Sequence, residues 1–195
     1  MRWWLNDISI GADIMNIDEF QRGIDKNIGQ YGDEVLIKAR DVLIPLISIR
    51  AKKFNLSYGY IDSIIFIEEI AELIDAIESH NYKLNVLEEL VDVELCLISF
   101  MHIHNIGDVK APDVNTVTTN RKAYVISHLA KAQQIITKTL RNKATEEQIR
   151  NMCIDIRLCI NMIKLANSVY DYMYYSAIAT KLDRMNDKVL NNDLM

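Results

Sequence analysis

The chain has 195 residues, half of them hydrophobic and a quarter charged, with a net charge of −5. That length suits one domain, or two small helical halves sharing a core, and the composition excludes wholesale disorder. The negative balance removes any general attraction to nucleic-acid backbones or anionic membranes, although a local patch can still hold phosphates.

Cys96, Cys153 and Cys159 lie in apolar runs without a CxxC pair and read as buried, reduced thiols. The amino terminus MRWWLND meets Asn6 and Asp7 before a signal-peptide core can form. Apolar runs such as Val42 to Ile49 and Leu95 to Met101 are too short to span a bilayer. The expectation is a cytoplasmic protein with neither a membrane nor a nucleic acid as partner.

Strand signals, meaning period-two alternation between Asn-Gly or Asp-Gly turns, are absent, so the fold class expected is all-α. A first helix is predicted from Asn16, with Glu19 as capping-box partner, to about Gly29 to Gly32. A second runs from Asp33 to Phe54, kinked or interrupted at Pro45. After a turn at Asn55 to Tyr60 come helices over Ile61 to Ser79 and Leu84 to His104. Asn105 to Asn120, with Gly107 and Pro112, is the longest connection. Helices over Arg121 to Arg141 and from Thr145 onward follow, the latter opened by a Thr145/Gln148 capping box. The spacing leaves open whether this last helix continues past Met185 or breaks near Asn167 and Ser168.

The chain therefore reads as one helical bundle over residues 1–195, built from two antiparallel hairpins, 61–104 and 121–188, plus amino-terminal helices. A degenerate duplication relates the hairpins in outline. Ile67 to Ala71 can be laid on Ile126 to Ala130, and Val91 to Leu97 on Ile154 to Ile160, at offsets of 59 and 63. Amphipathic hairpins also match one another by chance. On this alignment the second copy lacks most acids: Ser127, His128, Lys131 and Met152 stand opposite Glu68, Glu69, Glu72 and Glu89, and Asp155 stands opposite Asp92.

The acids carry the chemistry. Glu69 and Glu72, and then Glu89 and Asp92, are each three residues apart, which makes each pair neighbours on one helix face. The sixteen residues between Glu72 and Glu89 can finish a helix, turn around Ser79, His80 and Asn81, and bring the pairs face to face. Acids on a helix are commonly a solvated face. Converging carboxylates, however, raise each other's pKa unless a cation lies between them. Asp92 also sits on a helix apolar nearly all round, with no lysine or arginine between Lys83 and His104. Hard oxygen donors without paired Cys or His suit magnesium or manganese rather than zinc, and the Glu-x-x-His pairs of a di-iron bundle are absent.

EExxE, a spacer, then ExxD on the next helix resembles the signature of the all-alpha nucleoside-triphosphate pyrophosphohydrolases. These include MazG-like proteins, dimeric dUTPases and dCTP pyrophosphatases. The resemblance rests on Glu68, Glu69, Glu72, Glu89 and Asp92 and covers Ile61 to His104, about a fifth of the chain. It implies hydrolysis of a ribo- or deoxynucleoside triphosphate to its monophosphate and pyrophosphate. Glu69, Glu72, Glu89 and Asp92 would hold Mg2+ (or Mn2+), and Glu68 or one of those ligands, such as Glu69, would orient or deprotonate the attacking water. A later cluster, Lys181, Arg184, Asn186 and Lys188, is similar in kind to the family's phosphate-binding group, and equally to a solvated helix end. The compact members assemble as dimers or tetramers. A second hairpin without acids departs from that pattern and suggests a monomeric pseudo-dimer with one site, a homodimer being optional. The amino-terminal 60 or so residues match nothing in the family pattern.

Tyr170, Tyr172, Tyr174 and Tyr175 can stack on a base or pack in a core or interface, and Trp3 and Trp4 are expected to dock the amino terminus. Neither His80 nor His128 is a catalytic candidate. The rival readings are a non-catalytic helical interaction protein, a nucleotide sensor without turnover, and a hydrolase of another phosphate anhydride.

Overall fold

The structure, a computed structural model, describes residues 17–79, 84–116 and 120–190. Trp3, Trp4, the Asn16 cap and the turn at His80 lie outside the described residues. Among the described residues the fold is all-helical: α1 (Ile17–Phe54), α2 (Tyr58–Glu78), α3 (Leu84–Ile103), α4 (Arg121–Leu140), α5 (Glu146–Ala166) and α6 (Asp171–Leu190). One 3-10 turn, Val114–Thr116, interrupts the long connection before α4. No helix among these residues is long and apolar enough to cross a membrane.

Side chains set the helix starts. Ser57 accepts from the Tyr60 N–H at the head of α2, and Asn120 accepts from the Ala123 N–H at the head of α4. Thr145 and Gln148 form the expected capping box of α5. The exits use left-handed residues other than glycine: Asn55, Asn105, Asn142 and Ser168 have φ of 53, 53, 51 and 53°. Ser168 is what separates α5 from α6, so the chain does break there rather than run on.

Two amino-terminal expectations change. The helices predicted on either side of Gly29 to Gly32 are one helix of 38 residues, and Pro45 lies inside it without ending it. Gly32 is not a terminator. A Cβ on it would stand 2.6 Å from the Tyr175 ring, so the missing side chain lets α1 close on α6.

Helices α2 and α3 form an antiparallel hairpin, α4 and α5 form another, and α2 packs along α4. Helix α6 turns away from that second hairpin to lie along α1 and α3, so the unit predicted over 121–188 divides after Ala166. Helix α3 is the most enclosed: Val91, Val93, Glu94, Leu95, Leu97 and Ile98 are all buried. Burying so many apolar side chains on one helix contributes several kcal/mol, at roughly 1.5–3 kcal/mol each.

The buried Glu94 carboxylate is satisfied by ion pairing with Arg157 of α5 and by accepting from the Tyr174 hydroxyl at 3.0 Å. Positions 94 and 157 are matched partners when the hairpins are laid on each other.

Candidate functional site

Residue spacing and helix pairing assemble the site in two rungs. Glu69 on α2 and Asp92 on α3 form the first, and Asp62 on α2 and Ser99 on α3 form the second. Each pair of residues on one helix is seven positions apart, two turns along the same face, about 10 Å. Because the helices run antiparallel, the rungs stack.

In the first rung, carboxylate oxygens of Glu69, Glu89 and Asp92 lie within 4.8 Å of one another, and all three residues are half-buried. Burial, then the charges of Asp92, Glu72 and Glu89, push the Glu69 carboxyl up to about 7, against the opposing pull of Lys181. Glu89 is raised by burial and by the neighbouring carboxylates of Glu72 and Asp92, against the pull of Lys181. Lys181 of α6 donates to Asp92 Oδ2 at 2.7 Å. The corresponding face of the second hairpin is self-satisfied, since His128 Nδ1 meets Asp155 Oδ2 at 3.1 Å. Converging hard oxygen donors, of which Glu69 and Glu89 have raised carboxyls, fit a divalent metal such as magnesium.

The second rung closes a cavity of about 230 Å³ behind these acids. Helix α1 supplies Leu43, Ile47 and Arg50 at i, i+4 and i+7, while α6 supplies Lys181 and Met185. Asp62 and Ser99, 3 % exposed each, line it together with Cys96. Ser99 donates to Asp62 Oδ1 at 2.5 Å, and Asp62 Oδ2 has no partner. Burial pushes the Asp62 carboxyl up to about 7, the Ser99 bond pulling the other way. Cys96 is a free thiol raised well above its ordinary value by the same burial.

No family model matches this chain, and no curated protein or solved structure is significantly similar to it. The site therefore rests on its own geometry.

Of the residues expected from the sequence, Glu69, Glu89 and Asp92 converge, and Glu72 joins through Glu89. Glu68 is exposed and faces a separate groove, which it shares with Glu69, Glu72 and Arg50. Lys181 reaches the acids, whereas Arg184 lines a different groove, between α3 and α6. Asn186 is exposed, and the side chain of Lys188 lies outside the described residues. Of the tyrosines, Tyr174 is buried on Glu94 and Tyr175 covers Gly32, while Tyr170 and Tyr172 stack on each other at the surface, centroids 6.1 Å apart.

Arg50, Asp62 and Ser99 escaped the sequence reading. The signal for the latter two was present: each repeats its acid's helix face two turns on. Arg50 carried none, since α1 has no recognisable motif.

Proposed function

We propose that the protein is a magnesium-dependent hydrolase of nucleoside triphosphates, releasing the monophosphate and pyrophosphate, as its resemblance to the all-alpha pyrophosphohydrolases suggests. The observation that carries this reading is the cluster of Glu69, Glu89 and Asp92, whose oxygens lie within 4.8 Å of one another at the mouth of a cavity. Glu69 and Asp92 line a concave, half-buried surface, which supports a small-molecule site over a flat charged face for a partner protein.

Glu69, Glu72, Glu89 and Asp92 would hold the metal, which when bound neutralises charge building on the phosphates and acidifies water. Lys181 is positioned to move from Asp92 to a phosphate oxygen. Arg50, which lines both the inner cavity and the groove outside it, is a second cation for the triphosphate. Water attacks the α-phosphorus, a carboxylate such as Glu69 takes its proton, and the bond to the bridging oxygen breaks to release pyrophosphate.

The test is pyrophosphate release from ribo- and deoxynucleoside triphosphates with magnesium and with excess EDTA. Turnover is expected for at least one substrate, lost in EDTA. In Glu69→Gln and Asp92→Asn it is expected to fall by about a hundredfold or more with the helical spectrum unchanged. Magnesium should also raise the thermal midpoint of the wild type and not of Asp92→Asn. Full activity in both variants would remove the assignment.

A further inference from the structure

The cavity behind the acids holds more chemistry than phosphate hydrolysis uses. Its inner polar surface is set by Asp62 and Ser99, both buried, and neither is placed to touch a metal held by Glu69 and Asp92 two helical turns away. The Ser99 proton is committed to Asp62 Oδ1, so once Asp62 is ionised it offers acceptor oxygen only, including the unpartnered Oδ2. A buried carboxylate oxygen without a donor is costly, and a small turn of the Asp62 side chain toward the cavity would let a ligand's N–H satisfy it. The remaining wall is apolar, with Leu43, Ile47, Leu95 and Met185 suited to the faces of a flat ring. At about 230 Å³ the space is below the range of about 300–1,000 Å³ usual for drug-sized ligands, so it takes a ring rather than a whole nucleotide.

Resting on the nucleotide reading above, we propose that this cavity seats the nucleobase and that Asp62 selects bases bearing an exocyclic amino group. Cytosine, adenine and guanine each present an –NH2 that the Asp62 and Ser99 oxygens accept. Uracil and thymine present two carbonyl oxygens beside their one pairing-edge N–H, and these face oxygen with no proton between them. Asp62 is thus a specificity-determining residue, while the acids two turns away hold the phosphate end. The geometry fits a nucleotide lying along the α2–α3 groove, with its sugar bridging the rungs.

The test is equilibrium binding of the non-hydrolysable α,β-methylene analogues of dCTP, dATP, dGTP, dTTP and dUTP, by calorimetry in magnesium at about pH 8, where Asp62 is ionised. The wild type is expected to bind at least one amino-bearing analogue about tenfold more tightly than those of dTTP and dUTP. In Asp62→Leu, which removes both oxygens, that gap should close. In Asp62→Asn, which keeps the shape but puts a donor NH2 where Oδ2 stood, it should close or invert, and circular dichroism checks that each variant is folded. Wild-type preference for uracil or thymine, no preference, or a gap that survives either substitution in a folded variant would overturn the role of Asp62. In those cases the hydrolase reading stands, provided that triphosphates are still turned over. Failure of every analogue to bind, together with no pyrophosphate release, would overturn both.

Discussion

Without a ligand's N–H to accept, the Asp62 carboxyl sits in surroundings that favour its neutral form, and this makes it a reporter of its own burial. Its pKa rises from 3.8 to about 7 on folding, so the folded state binds the proton more tightly than the unfolded state. The stability this contributes is fully present below about 4 and is lost as pH climbs through 7. Each unit of displacement is worth about 1.4 kcal/mol. Asp62→Asn removes that dependence. Its stability relative to the wild type should therefore improve between pH 5 and pH 8 by about 1–3 kcal/mol, measured by urea denaturation at the two values. Parallel behaviour at both would mean that Asp62 is solvated. The acids were legible in the sequence because spacing by three on a helix is a strong geometric statement. Asp62 and Ser99 were not, because a lone Asp or Ser in an apolar run has many structural explanations until the opposite helix is in place.

Among the elements, α1 departs furthest from expectation, and Gly32 is the reason. In sequence a glycine after a helical run reads as a stop. Here it is a gap in the α1 surface filled by Tyr175 of α6. Gly32→Ala would improve helix propensity by about 1 kcal/mol in isolation. Against that, a Cβ 2.6 Å from the ring forces the Tyr175 ring out of its seat on α1, at a typical cost of about 1–3 kcal/mol where the packing cannot give. A net loss in thermal stability is expected, relieved when Tyr175→Leu is combined with it. Equal losses in the single and double variants would refute the packing role. The helix ends at Asn55, Asn105, Asn142 and Ser168 were hard to place for a related reason: the left-handed turn is supplied by residues that also occur within helices. The two hairpins invite comparison at this scale. Glu94 and Arg157, matched positions on the proposed duplication, pair with each other, as residues near a twofold axis do.

At the scale of the molecule, the two acidic helices supply one side of the cavity and the flanking helices α1 and α6 supply the other. The sequence made the bundle legible through its missing strand signals and its helical periodicity. It could not reveal this closure, because no local pattern encodes which helix covers which face. The amino-terminal segment, without a motif of its own, becomes a wall of the candidate site through Leu43, Ile47 and Arg50.

The meeting of α1 with α6 joins residues as far apart in sequence as Lys38 and Asp183, an ion pair of 2.7 Å across 145 positions. Contacts of that separation are late to form, since the chain between them must be gathered first, whereas each hairpin closes locally. Refolding from urea should therefore regain most of its helical signal before the cavity exists. Recovery of ligand binding in stopped-flow measurements should lag the circular dichroism trace, and Gly32→Ala should lengthen the lag. In time as well as in space, the pocket is then the last part of the molecule to arrive.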